Sequence, residues 1–290
     1  MRVCVVGLGG VGGYIAANFA NSGIDVTGVA RGAHLEAIKE RGIEIVEDDK
    51  RWSVDMNVCS LDEVEGVFDV VFFCTKSYDL TGSAEAMRRH ISKESVVVSF
   101  ANGVNNGDIL REHLDAKVLD GCIYILSHID SPGVIRKKGK VFAAVFGGDG
   151  SEKLAELFEK SNLRYKISLD IQRELWKKYI FIAAFANLTS YYDQSIYEVA
   201  TQHEEEAKTV LEEIAALAKA KGIDIDKEVS KSLQTALSLP HDASTSMHLD
   251  FQNKKQTELE ALSGYLVKEA RKVGVELPHI TKIYKELAQR

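Results

Sequence analysis

Residues 7–12 read Gly-Leu-Gly-Gly-Val-Gly and follow an apolar run over 3–6, after which the pattern becomes helical. Gly7 permits a tight turn, Gly9 lets the backbone approach a pyrophosphate, and Gly12 lets the helix lie close to the strand. Phosphates would then meet the unpaired N–H groups of a helix N-terminus. A second strand pattern over 25–29 ends at Ala30-Arg31, where an acidic residue would bind the ribose 2′-hydroxyl of NAD. Arg31 offers instead a planar cation suited to the 2′-phosphate of NADP. Gly7, Leu8, Gly9, Gly10, Val11, Gly12 and Arg31 are therefore expected to hold NADP(H), and the chemistry such a site serves is hydride transfer. The competing readings are a bare structural turn and an exposed loop arginine.

Two further groups stand out by placement. Lys177 and Lys178 run directly into the apolar segment 179–186, which reads as a helix buried on every side. Lys177 can snorkel to solvent, while Lys178, about a hundred degrees further round, is the candidate for facing a cleft. A charged helix end is the alternative. One helix is expected over about 244–273, with Met247, Phe251, Leu262, Tyr265 and Leu266 on one face and Glu258 inside that stripe. A carboxylate there needs a partner or a purpose, and a salt-bridged edge with nearby Lys254 and Glu269 competes with a functional role.

The first half alternates strand and helix patterns, the signature of a doubly wound α/β sheet of Rossmann type. Helices are expected at 34–41 and 151–161, and strands at 43–46, 52–58, 69–74, 95–100 and 165–169. The strands 69–74 and 95–100 deliver Lys76 and Asn102 to one sheet rim, where ligands of such folds gather. Between residues 117 and 148, β-rich segments punctuated by Ser131-Pro132-Gly133 and Gly147-Gly148 predict an antiparallel extension. Beyond about Asp170 the pattern is all helical, with breaks at Gly222, Leu239-Pro240 and Gly274, and Pro278 opening the last helix. The expected division is an NADP-binding domain over 1–169 and a helical substrate domain over 170–290, with the active site in the cleft between them.

Composition bounds the class. With 45% hydrophobic residues and a net charge of −7, the chain reads as globular, with neither nucleic acid nor an anionic membrane as a general partner. Cys4, Cys59, Cys74 and Cys122 lack metal-ligand spacing, so buried thiols in a reducing compartment and no structural metal are expected. A first strand at residue 2 leaves no room for a signal peptide, and no apolar run approaches a membrane span; the expected location is the cytoplasm. The apolar C-terminal helices, with Tyr191-Tyr192, could complete one chain's core or pack on a second copy, and a homodimer is the assembly expected.

The chain resembles the ketopantoate reductase family along its whole length. The resemblance is carried by Gly7-x-Gly9-x-x-Gly12 with Ala30-Arg31-Gly32, Thr75-Lys76, Asn102-Gly103, Trp176-x-Lys178, and Ser246-Met247 followed by Thr257-Glu258 with Asp250 between. It implies NADPH-dependent reduction of a small 2-keto acid, 2-dehydropantoate to pantoate, on the way to pantothenate and coenzyme A. It also implies Lys178 as general acid, Glu258 on the substrate's hydroxyl end, Ser246 on its carboxylate, and Lys76 and Asn102 connecting cofactor and substrate. Family asparagines one and two turns past the lysine are replaced by Ile182 and Ala186. Asn187 is then either an adapted substrate ligand or a polar residue satisfied within the bundle. Another 2-keto acid or β-hydroxyacid as substrate, and an NADPH-sensing protein without turnover, are the rival readings.

Overall fold

The computed structural model describes residues 1–48 and 50–290, which divide into two compact units. The first comprises Met1–Ala101 and Asn105–Ile171; the second comprises Asn102–Val104 and Gln172–Arg290.

In the first unit, β1 (Arg2–Val6), α1 (Gly10–Asn21), β2 (Asp25–Val29), α2 (Gly32–Arg41), β3 (Ile43–Glu47), β4 (Lys50–Val54) and β5 (Asn57–Cys59) are followed by β6 (Phe68–Phe73) and α3 (Leu80–Met87). Then come β7 (Ile91–Ser99), α4 (Asn106–His113), β8 (Lys117–Ser131), β9 (Val134–Gly147), α5 (Ser151–Lys160) and β10 (Tyr165–Ile167). The strands form one sheet in the order β4-β3-β9-β8-β7-β6-β1-β2-β5, with β10 added beside β9. From β5 to β8 every pairing is parallel, and β8 with β9 forms the expected antiparallel extension.

The near-continuous apolar runs of β1, β6 and β7 follow from burial on both faces. Val3, Val5, Val70, Phe72, Val96 and Val98 pack into one core with Phe19 of α1 and Phe158 of α5. Their sequence neighbours Cys4, Val6, Val71, Phe73 and Val97 point the other way, against Leu80, Ala84 and Met87 of α3 and Leu110 of α4. Phe19, Phe72 and Phe158 meet edge to face at centroid distances of 5.5 to 6.1 Å, so truncating Phe72 to alanine would cost about 3–5 kcal/mol.

One predicted strand divides. Residues 52–58 do not form one element: β4 pairs antiparallel with β3, and β5 pairs parallel with β2 at the far edge. Asp55-Met56 breaks the run, and the two pieces serve opposite ends of the sheet.

The second unit is helical: α6 (Ile171–Tyr192), α7 (Ile196–Gln202), α8 (Glu204–Ala220), α9 (Asp226–Ser238), α10 (Ser246–Gln252), a π turn (Glu260–Gly264), α11 (Tyr265–Val273) and α12 (Pro278–Leu287). The expected breaks at 222, 239–240 and 274 are present, and Pro278 opens α12. The single long helix over 244–273 is not. Lys254 adopts φ 52°, the Lys255 N–H closes back on the Asp250 carbonyl at 2.9 Å, and the chain runs irregularly to Glu258 before turning helical again. The polar stretch 253–257 has no apolar side chain to bury, so nothing extends α10 across it. Among the described residues, no helix is long and apolar enough to cross a membrane.

Candidate active site

The glycine-rich loop joins β1 to α1, and each glycine answers a different neighbour. Gly7 sits at φ +94°, where a Cβ would also meet Thr75 N at 2.9 Å. Its N–H and that of Leu8 donate to the Val29 carbonyl at 3.0 and 3.2 Å, tying the loop to the end of β2. At Gly12 a Cβ would lie 2.0 Å from the Gly7 carbonyl oxygen, which is the close helix packing expected there. Gly10 has a constraint that the motif does not announce: a Cβ would lie 2.4 Å from Ser127 O of β8. Leu8 buries its side chain, donates its N–H to the Val29 carbonyl and accepts from His34 at its own carbonyl, so it shapes the loop from within, while Val11 packs partly buried against the same core.

Gly9 differs. Its φ of −68° suits any residue, and a Cβ would meet nothing within 4 Å. Among the described residues no side chain caps α1, leaving its first N–H groups to an external acceptor. Beside Gly7, Thr75 Oγ1 is buried with no hydrogen-bond partner. An open glycine face, an uncapped helix N-terminus and an orphaned hydroxyl fit the diphosphate of a dinucleotide.

The loop is also held from α2. His34 Nδ1 accepts from the Gly133 N–H at 2.9 Å, so the proton of the neutral ring lies on Nε2, which donates to the Leu8 carbonyl at 2.9 Å. Burial lowers the His34 pKa below its ordinary 6.5, partly countered by the bond to Leu8. Arg31 precedes α2, is 85% exposed, and donates from Nη2 to Asp79 Oδ2 at 3.1 Å. Lys76 lies where β6 ends, and its carbonyl accepts from the Asp79 N–H at 3.0 Å.

In the helical unit, the Lys178 ammonium donates to Asn102 Oδ1 at 3.2 Å, bringing together two expected site residues 76 positions apart in sequence. Lys177 turns instead to Glu174 at 3.2 Å, in keeping with its surface role. Glu258 is buried, and its carbonyl accepts the Leu262 N–H at 3.0 Å, so this carboxylate begins the next helix rather than sitting within a stripe. The dipole of the helix start favours a negative charge there. Glu269, the other acid near that face, pairs with Lys221 at 2.5 Å and Lys272 at 2.6 Å.

Helix α6 anchors the turn that follows Glu258. The five-residue π turn frees carbonyl groups, and Tyr179, adjacent to Lys178, donates its hydroxyl to Ala261 O at 2.8 Å. Burial, with Tyr265 nearby, pushes the Tyr179 hydroxyl pKa well above its ordinary value, keeping it a donor. Asn187 donates to Ala183 O at 2.8 Å, and its side-chain oxygen accepts from Ser263 Oγ. Asn187 is fully buried, with both of these contacts inside the helical unit. Ser246 is exposed at the first position of α10. That helix is fixed through His248, which lies 2.7 Å from both Ser244 Oγ and Asp193 Oδ1.

Tyr179, His34 and Asp79 were not singled out from the sequence. Only Tyr179 carried a usable signal, because a tyrosine at the head of an apolar, buried segment must find an acceptor for its hydroxyl. Among the described residues no cluster of metal-ligating side chains occurs.

Family models match both halves of the chain: "Ketopantoate reductase PanE/ApbA" over residues 3–148 and "Ketopantoate reductase PanE/ApbA C terminal" over 170–290. An uncharacterized oxidoreductase, YkpB of Bacillus subtilis (strain 168), is 31% identical, covering 99% of this chain and 98% of its own length. A crystal structure of 2-dehydropantoate 2-reductase from Porphyromonas gingivalis W83 is 30% identical with a TM-score of 0.86, covering 99% of each chain. A PanE/ApbA family ketopantoate reductase from Ralstonia eutropha JMP134 superimposes with a TM-score of 0.93 at 26% identity, covering 100% of this chain and 98% of that one. The chain belongs to the ketopantoate reductase family of pyridine-nucleotide-dependent oxidoreductases.

Proposed function

We propose that this protein reduces 2-dehydropantoate to pantoate with NADPH, a step toward pantothenate and coenzyme A. The observation that carries the reading is the hydrogen bond from Lys178 Nζ to Asn102 Oδ1, which holds an ammonium at the start of the apolar stretch of α6. The first unit, residues 1–169 in functional terms, is assigned to the nucleotide. Gly9, Gly10, Val11 and Gly12 would take the diphosphate in the loop that Gly7 and Leu8 shape, Arg31 the 2′-phosphate, and Lys76 the nucleotide's ribose side. Bound NADPH supplies the hydride for the keto carbon.

The chain's own residues handle the substrate and the proton. Asn102 holds the Lys178 side chain so that Nζ donates to the ketone oxygen. As negative charge builds on that oxygen the ammonium stabilises it and gives up a proton, yielding the alcohol; a solvent proton then restores Lys178. Glu258 accepts from the substrate hydroxyl, and Ser246 donates to the carboxylate. Tyr179, by fixing the turn after Glu258, sets where that carboxylate stands. A homodimer is the proposed assembly, checked by sedimentation.

A second reading, reduction of a different small 2-keto acid, is favoured by one observation. With Ile182 and Ala186 in place of asparagines and Asn187 consumed by Ala183 and Ser263, α6 offers few amides to a polar substrate. A panel of 2-keto acids assayed with NADPH decides between the two. The first reading expects the highest kcat/KM with 2-dehydropantoate; a clear preference for another keto acid establishes the second.

A further inference from the structure

Arg31, the cation assigned to the 2′-phosphate, already faces an anion. Its Nη2 donates to Asp79 Oδ2 at 3.1 Å, with the arginine 85% and the aspartate 34% exposed. Strand order explains the meeting: β2 and β6 flank β1, so the second residue after β2 and the short turn after β6 emerge on either side of the glycine-rich loop. Asp79 closes that turn, held by its N–H bond to the Lys76 carbonyl at 3.0 Å. The backbone that carries this short carboxylate side chain is therefore fixed, whereas the arginine is a long, exposed side chain that can be drawn either way.

The two nicotinamide nucleotides differ at one substituent, and the Arg31–Asp79 pair presents opposite chemistries to it. A 2′-phosphate carries about −1.5 to −2 charges at neutral pH, so it gains from the guanidinium but is repelled by the carboxylate and competes with it for Nη2. A 2′-hydroxyl has no such penalty and can donate to a carboxylate, the usual recognition of NAD. We propose that Asp79 is a specificity-determining residue that tempers the preference for NADPH and lets NADH serve at the same site. The inference rests on the reading of Arg31 as the 2′-phosphate partner.

An exposed charge pair shifts an equilibrium by up to about fivefold, and the phosphate carries nearly two charges. Asp79→Asn in the full chain should therefore tighten NADPH by about three- to tenfold and leave NADH unchanged or weaker, read by titration of nucleotide fluorescence. Asp79→Glu, which keeps the charge, should keep the wild-type ratio. The NADPH gain should shrink at high salt, because the repulsion is screened. If Asp79→Asn weakens NADPH, or changes neither nucleotide, while Arg31→Ala still weakens NADPH at least about tenfold, the role of Asp79 is overturned and that of Arg31 stands. If Arg31→Ala leaves NADPH binding untouched, the assignment of Arg31 fails, and the role of Asp79 fails with it.

Discussion

Adding one methyl group at Gly9 or at Gly12 should separate ligand binding from folding within a single loop. At Gly12 the new Cβ would stand 2.0 Å from the Gly7 carbonyl oxygen and 2.8 Å from Cys74 Cβ, so helix and strand must part. Overpacking of that kind costs about 1–3 kcal/mol and more where backbone is struck. At Gly9 the Cβ meets nothing within 4 Å and φ is −68°, so the free protein has no reason to resist. The loss of a glycine cap and the lower entropy of the unfolded chain act in opposite directions, and the net change should stay within about 1 kcal/mol. A diphosphate approaching the loop would nevertheless find the methyl in its way. Losing one charge-assisted hydrogen bond is worth about 1.5–3 kcal/mol, or roughly ten- to a hundredfold in Kd. Urea unfolding and nucleotide titration on Gly9→Ala and Gly12→Ala measure the two quantities side by side. Wild-type nucleotide affinity in Gly9→Ala would refute the reasoning, as would a loss of stability equal to that of Gly12→Ala.

Two other perturbations follow from the contacts described. Tyr179→Phe leaves the Ala261 carbonyl without its donor; it should cost about 1–3 kcal/mol in urea unfolding and raise the keto-acid KM more than the NADPH KM, whereas an unchanged KM would detach Tyr179 from the substrate site. His34 is held neutral in the fold, so the unfolded chain binds the extra proton first as pH falls through 6.5. Its contribution to stability is present above that value and is lost progressively as pH drops toward the lowered folded pKa. His34→Gln should flatten this part of the pH–stability curve, measured by urea midpoints from about pH 7.5 to 5, while identical slopes in the two proteins would contradict the assignment.

Much of the fold was legible because its signals are local. Apolar runs at 3–6, 69–74 and 95–100 can bury both faces only in a parallel sheet, and Gly222, Pro240, Gly274 and Pro278 stop or start helices by backbone chemistry alone. The failures share a non-local cause. Helical periodicity persists on both sides of residues 253–258, so counting through the gap produced one helix where a left-handed Lys254 and a π turn reset the phase. Residues 52–58 have strand composition throughout, but pairing with β3 in one direction and β2 in the other is decided by the sheet. Lys178 and Asn102 were identified separately, and their hydrogen bond depends on packing. The hydrogen bonds of Asn187 with Ala183 and Ser263 depend on packing as well. Gly10, ordinary by motif, is required by the passage of β8 at Ser127.

Proton donation by Lys178 to the ketone oxygen is the step on which the account depends, and single-turnover oxidation of NADPH by 2-dehydropantoate tests it directly in Lys178→Ala. The account predicts a fall of at least about a hundredfold in the chemical rate, the usual scale for losing a positioned general acid, with NADPH affinity within about threefold of wild type. Chemistry at the wild-type rate in Lys178→Ala would contradict it.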